Sequence, residues 1–116
     1  MLITFCKAKI ANARVTQAEL YYEGSITIDE AVITAAGILP GEKVEIFNVN
    51  NGARLETYVI AGKAGSGQVC LNGPAARMGY VGDKLIIVSY ALVSPEEAKT
   101  IKTKTVYLND GNAVKA

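Results

Sequence analysis

Ten consecutive residues, Lys84-Leu85-Ile86-Ile87-Val88-Ser89-Tyr90-Ala91-Leu92-Val93, limit the fold more than any other stretch of this chain. Nearly all are apolar, and Ile86, Ile87, Val88 and Val93 are β-branched. Such a run reads as a strand buried on both faces, because a half-exposed strand would alternate with polar residues. It is too short to span a bilayer, which takes ~18 apolar residues or more. No apolar run in the chain approaches that length. The start, Met1 to Lys7, lacks the basic segment followed by an apolar one that marks an export signal. The chain therefore reads as soluble, unexported and cytoplasmic, with no membrane partner.

The remaining sequence is punctuated into short pieces. Residues 3–15 alternate loosely and carry Lys7, Lys9 and Arg14, as a half-exposed strand does. Residues 18–22 read as a second short strand leading to Gly24. Asp29 suits a helix N-cap, Glu30 the positive end of a helix continuing to Ala36, and Gly37 its end, with Pro40-Gly41 closing the turn. Strands over 44–49 and 54–60 flank Asn51-Gly52, a hairpin signal. Residues 61–67 are glycine-rich and read as a loop. Residues 68–71 form a short strand that ends in the turn Asn72-Gly73-Pro74, and 75–79 fit one helical turn. Val81-Gly82-Asp83 turns tightly into the long apolar strand. Ser94-Pro95-Glu96-Glu97 has capping-box spacing with proline at the first helical position. A last strand covers 105–108, and Asn109 to Asn112 form a polar turn. Many short strands with two or three short helices, in 116 residues without repeat or linker, point to one mainly β domain, a small closed barrel.

Composition narrows the chemistry. There is no histidine, the only side chain with an unperturbed pKa near neutrality. Ser-His-Asp and Cys-His triads and imidazole zinc sites are thereby excluded within this chain. An acid or base here must be Tyr, Lys, Asp, Glu, Cys or a group the chain makes for itself. The formal net charge is +1, with no basic run, so nucleic acid is not the expected partner. Cys6 and Cys70 lie far apart and form no CxxC, which reads as two buried thiols in a reducing compartment. Gly62-Lys63-Ala64-Gly65-Ser66-Gly67 lacks the Gly-Lys-Ser/Thr ending of a phosphate-binding loop.

One segment stands apart: Tyr21-Tyr22-Glu23-Gly24-Ser25-Ile26-Thr27-Ile28-Asp29, in which Gly-Ser lies between a strand and a helix start. Gly-Ser alone is ordinary turn chemistry. Taken with Lys9, Asn48 to Gly52, Arg54, Thr57-Tyr58, Asn72-Gly73-Pro74-Ala75-Ala76-Arg77 and Val81-Gly82-Asp83, in that order and spacing, the segment resembles the self-cleavage site of the pyruvoyl-dependent aspartate 1-decarboxylase family. The resemblance runs from Lys9 to about Tyr107. It implies a double-ψ β-barrel, and a single domain cut between Gly24 and Ser25 into residues 1–24 and 25–116. It also implies a homotetramer with sites between subunits, matured with or without an accessory factor, that converts L-aspartate to β-alanine for pantothenate and coenzyme A synthesis. The cofactor would be a pyruvoyl group made from Ser25, with neither pyridoxal phosphate nor metal, and the substrate amine would form a Schiff base with it.

By the same resemblance, Thr57 stabilises the oxyanion during cleavage and Tyr58 is the proton donor in turnover. Lys9, Arg54, Thr57, Asn72, Gly73, Pro74 and Ala75 bind substrate. Each has an ordinary alternative. Thr57 and Tyr58 are plausible plain strand residues, Arg54 a solvated hairpin arginine, Lys9 an edge-strand lysine that discourages aggregation, and Asn72 a turn residue. Pro74 has no N–H, so a backbone donor in that loop must be Gly73 or Ala75. Gly24 is expected to supply a strained or left-handed backbone that opens its carbonyl to attack. Two other classes remain open at this point: a pyruvoyl enzyme for another acidic amino acid, and a non-catalytic barrel that serves as a binding module.

Overall fold

The computed structural model describes residues 1–115. Eight strands carry the chain: β1 (Ile3–Arg14), β2 (Gln17–Glu19), β3 (Ser25–Asp29), β4 (Lys43–Asn48), β5 (Arg54–Gly62), β6 (Val69–Asn72), β7 (Lys84–Val93) and β8 (Lys104–Tyr107). Helix α1 (Glu30–Ala36) follows β3, a 3-10 helix (Gly73–Met78) follows β6, and α2 (Pro95–Ala98) follows β7. The strands form one sheet in the order β2-β6-β3-β5-β4-β7-β1-β8. Three of its pairings are parallel (β1 with β8, β2 with β6, β3 with β5), and the others are antiparallel. The fold is mainly β, and this mixture is consistent with a double-ψ barrel, although the ladders themselves run open from β2 to β8.

Local chemistry accounts for most boundaries. Asp29 caps α1 by accepting from Ala31 N at 2.8 Å, and Gly37 ends the helix in the left-handed region at φ 71°. Asn51-Gly52 turns the β4–β5 hairpin, with Gly52 at φ 75°. Ser94 and Glu97 form the reciprocal capping box expected from their spacing.

Some boundaries differ from the sequence reading. The second strand covers only Gln17 to Glu19, because Leu20 to Tyr22 turn away and Tyr21 is 98% exposed. Ala61 and Gly62 continue β5 instead of starting the loop, since they pair with Ile28 and Asp29. The long apolar strand β7 is covered on both faces only in its middle. Beyond Val88 it pairs with β1 alone, which leaves Tyr90 and Leu92 exposed.

The core fills one side of the sheet with Ile10, Ile26, Ile28, Ile46, Leu71, Leu85 and Ile87, and α1 adds Val32 and Ile33. Three polar side chains tie the periphery together. Asn112, 1% exposed, accepts from Arg14 N and donates to Arg14 O and Gly67 O, each at 2.8 Å, so it joins the end of β1 to the β5–β6 loop. The Asp29 carboxylate also accepts from Gly65 N at 3.0 Å and Gly67 N at 2.8 Å. Glu42 binds the Lys7 ammonium at 2.8 Å, the Ser89 hydroxyl, and Leu39 N at 3.0 Å.

Burial alone would push the Asp29 and Glu42 carboxyls up. For Asp29 the N–H groups of Gly67, Ala31 and Gly65 more than offset it, and for Glu42 the Lys7 ammonium, Ser89 hydroxyl and Leu39 N–H do, so both end below their ordinary values. A lowered folded-state pKa contributes stability that is complete above the unfolded value of about 4 and is lost as pH falls through the folded value. The thermal midpoint should therefore hold steady above about pH 5 and decline below about pH 4. Asp29→Asn should blunt that decline, and an unchanged acid slope in this variant would remove Asp29 from the account.

Candidate active site

Strand β3 lies between β5, to which it is parallel, and β6, to which it is antiparallel. Both of its edges are thus hydrogen-bonded. Ser25 opens β3 and is fully buried, whereas Gly24 before it is exposed. The peptide between them lies where the chain passes from an open turn into the sheet.

In the β3–β6 ladder Ser25 faces Asn72, and Thr27 faces Cys70. Residues two apart on a strand share a face, so these four side chains form one block. Asn72 Nδ2 donates to Ser25 Oγ and to Thr27 Oγ1, each at 2.9 Å. The Cys70 thiol donates to Asn72 Oδ1 at 3.1 Å. Burial pushes the Cys70 thiol up, and the Glu19 charge adds to this, so the sulfur keeps its proton. The Ser25 hydroxyl has a long contact of 3.4 Å to the Glu23 carbonyl. Sequence reading found Ser25 and Asn72 but not Thr27 or Cys70. The signal was there as period two: each lies two residues from a partner already singled out.

The turn into the 3-10 helix brings a second segment against the same peptide. Gly73 has φ +65°, and a Cβ there would lie 2.5 Å from Tyr22 O and 2.9 Å from Gly24 N. The special backbone expected at Gly24 is therefore found at Gly73 instead. Gly24 lies outside the left-handed region, and a Cβ on it would meet only Pro74 Cδ, at 3.6 Å. The close approach needs just one partner without a side chain, and Gly73 is that partner.

Gly24, Thr57, Pro74 and Ala75 line one cavity of about 330 Å³ together with Leu55, Glu56 and Met78. This is the size of small-molecule clefts. Among the described residues its lining contains no cation. Lys9, Arg54 and Tyr58 lie elsewhere. Along β5, Arg54, Glu56 and Tyr58 are exposed while Leu55 and Thr57 are more covered, so Thr57 faces the opposite way from its two neighbours in the motif. The Arg54 guanidinium lies over the Phe47 ring at 4.0 Å. Lys9 pairs with Val88, Val88 with Glu45, and Glu45 with Glu56, so Lys9 shares the outer face with Arg54 and Tyr58. Here β1 is flanked by β7 and β8, so Lys9 is not on an edge strand.

Cys6 and Cys70 are both free thiols, Cys6 only half-buried. No cluster of three or more His, Cys, Asp or Glu that could hold a metal is found among the described residues. Among them, no helix is long and apolar enough to cross a membrane.

The sequence model of the aspartate decarboxylase family matches residues 1–115. The chain is 56% identical over 115 residues to the aspartate 1-decarboxylase of Clostridium beijerinckii, covering 99% of this chain and 93% of that protein. The protein of the same name from Bacillus licheniformis is 58% identical over 114 residues, covering 98% of this chain and 90% of its own. That from Bacillus subtilis is 55% identical over 114 residues, with the same coverage of 98% and 90%.

The two glycines at the cleft should respond oppositely to alanine. Gly73→Ala combines a left-handed backbone with a clash against Tyr22 and should cost about 1–3 kcal/mol or more in urea unfolding. Gly24→Ala meets only ordinary contact and should stay within about 1 kcal/mol. Equal losses at both positions would contradict the assignment of the close approach to Gly73.

Proposed function

The chain belongs to the aspartate decarboxylase family, and on that premise we propose that it is a self-processing decarboxylase whose Ser25 becomes a pyruvoyl group. The family makes β-alanine from aspartate, which supplies pantothenate and thence coenzyme A. The observation that carries the reading is the Ser25 hydroxyl, fully buried and held by Asn72 at 2.9 Å, one residue beyond an exposed Gly24 at the edge of a cleft. A serine so placed fits the group, because its oxygen is tethered beside the carbonyl it must attack.

In maturation, Ser25 Oγ adds to the Gly24 carbonyl carbon, the C–N bond breaks, and an ester replaces the amide. Thr57, which shares the cavity wall with Gly24, is assigned to the oxyanion. Elimination then takes the Ser25 Cα proton to water, forms a Cα=Cβ double bond and breaks the Cβ–Oγ bond, and the oxygen leaves with the Gly24 carboxylate. Water hydrolyses the remaining enamine, releases ammonia and leaves a ketone at residue 25. The products are residues 1–24 and 25–116. The ketone supplies an electron sink once an amine condenses with it.

The other residues bind and protonate. Arg54 and Lys9 are assigned to the two carboxylates of aspartate, Arg54 by a bidentate grip. The N–H groups of Gly73 and Ala75 and the Asn72 amide orient the substrate beside Pro74. Tyr58 returns a proton to the substrate carbon after carbon dioxide departs. In one subunit Lys9, Arg54 and Tyr58 lie on the outer face, and the lining of the Gly24 cavity holds no cation among the described residues. This separation supports a homotetramer in which the outer face of one subunit completes the cleft of its neighbour. We place the enzyme in the cytoplasm, in keeping with its two free thiols. An accessory maturation factor remains compatible with this scheme.

Intact mass spectrometry tests the cleavage. The wild-type chain should give fragments 1–24 and 25–116, the second with a blocked N-terminus. Ser25→Ala should fold, stay whole and make no β-alanine; β-alanine production by that variant would sink the reading.

Tyr58→Phe should separate maturation from turnover. The ring is 40% exposed and faces away from the Thr57 of its own chain, and its hydroxyl is assigned no part in cleavage. Cleavage should proceed normally, while kcat falls by about 10²–10⁴-fold, the usual loss of a general acid. An uncleaved Tyr58→Phe chain would place the phenol in processing instead.

A further inference from the structure

We propose that Cys70 and Thr27 are positioning residues that fix which way the Asn72 carboxamide points, and thereby set how readily Ser25 cleaves the chain. The inference rests on Ser25 being the cleaving nucleophile. A carboxamide has two faces of opposite character, a carbonyl that accepts and an amino group that donates. Which one faces Ser25 decides what happens to the serine proton.

In the observed orientation both Asn72 N–H groups are committed, one to Ser25 Oγ and one to Thr27 Oγ1, at 2.9 Å each. Ser25 Oγ therefore accepts a hydrogen bond, and its own proton has only the Glu23 carbonyl as acceptor, at a long 3.4 Å. A donated N–H stabilises the negative charge that grows on Oγ as the proton leaves and the C–O bond forms. In the flipped orientation the Asn72 carbonyl would face both hydroxyls. Ser25 Oγ would then lose the N–H donor that steadies its developing charge and would face a carbonyl oxygen, which disfavours charge on Oγ. The flip is therefore a choice between an activating and a passivating partner.

Two neighbours make that choice. The Cys70 thiol, 3% exposed and 3.1 Å from Asn72 Oδ1, supplies the carbonyl with a donor. Its burial keeps the sulfur protonated, so it does not become an anion that would attract the amino group instead. Thr27 Oγ1 occupies the second N–H, which would otherwise be left without a partner beside buried neighbours. Both act across the β3–β6 ladder, where Thr27 and Cys70 are directly opposed. Neither side chain lines the cavity beside Gly24.

The test is a time course of self-cleavage by intact mass on freshly purified full-length chains, alongside their thermal midpoints. Cys70→Ala removes the donor to Asn72 Oδ1, and Thr27→Val removes the acceptor for its second N–H at nearly constant shape. Each should slow cleavage about 3- to 10-fold, the worth of one neutral hydrogen bond. Cys70→Ser and Thr27→Ser keep the hydrogen-bonding group and should recover the wild-type rate, whatever their thermal midpoints. Loss of packing alone would not discriminate between these replacements by hydrogen-bonding ability. The inference is overturned if Cys70→Ala and Thr27→Val cleave as fast as wild type, or if the serine variants are slowed as much as their partners. A wild-type chain that stays whole both alone and in a bacterial lysate, which would supply a maturation factor, overturns the Ser25 reading itself, whereas a cleaving wild type with indifferent variants overturns only the roles of Cys70 and Thr27.

Discussion

The site depends on one register, the pairing of Ser25 with Asn72 across the β3–β6 ladder. A slip of β3 by one residue would exchange its faces, put Ile26 where the polar block stands, and send Ser25 into the apolar core. The register is held from several sides. On its other edge β3 is locked in parallel to β5. At its far end Asp29 caps α1 and binds Gly65 and Gly67 in the loop that leads into β6. At its near end Gly73 lets the backbones of Tyr22 to Gly24 and of Gly73 pack directly on each other. Moving Ser25 relative to Asn72 would disturb every one of these contacts.

Strand β5 divides the chemistry into two kinds. Its covered side presents Thr57 to a cleft bordered by Gly24, and its exposed side presents Arg54 and Tyr58 together with Lys9 from β1. Strand alternation makes this separation unavoidable, because Thr57 and Tyr58 are adjacent in sequence. The proposed homotetramer would resolve it without breaking the strand, by setting the outer face of one copy against the cleft of another. A short chain also gains from such association, since a domain of this size buries only about two-thirds of its unfolded surface alone.

How much could be read in advance follows the same physics. The caps at Asp29, Gly37 and Ser94 and the Asn51-Gly52 turn were legible because each is a local interaction within a few residues. The mainly β class was legible from the run 84–93, but its two-sided burial was overstated, since coverage depends on which strands lie beside it and β4 stops pairing at Val88. Ser25, Thr57, Pro74 and Ala75 were singled out from motif order, and the structure gathers Ser25 under Asn72 and the other three around one cleft with Gly24. Thr27 and Cys70 escaped notice because their importance comes from a partner strand about 45 residues away. The strained glycine was placed at the wrong end of the contact. Sequence reading put it at Gly24, and the packing puts the positive φ and the close approach at Gly73.

The absence of histidine explains why these two halves look so different. Ser25, Thr27, Cys70 and Asn72 are all neutral, which spares the buried side of the sheet the heavy cost of an ion without a partner. A neutral block contains no strong base, so cleavage must rely on tethering and on hydrogen bonds that steady the charge as it forms. That is a slow way to do chemistry, which fits the proposed cleavage, an event needed only once per chain. Turnover repeats, and must hold a doubly charged substrate and return a proton each time. Those tasks require cations and a phenol, and Lys9, Arg54 and Tyr58 keep theirs on a face where water pays the solvation of the free state. On the proposed reading, the fold keeps the nucleophile dry and uncharged until it acts, and leaves the charged groups for assembly to bring in.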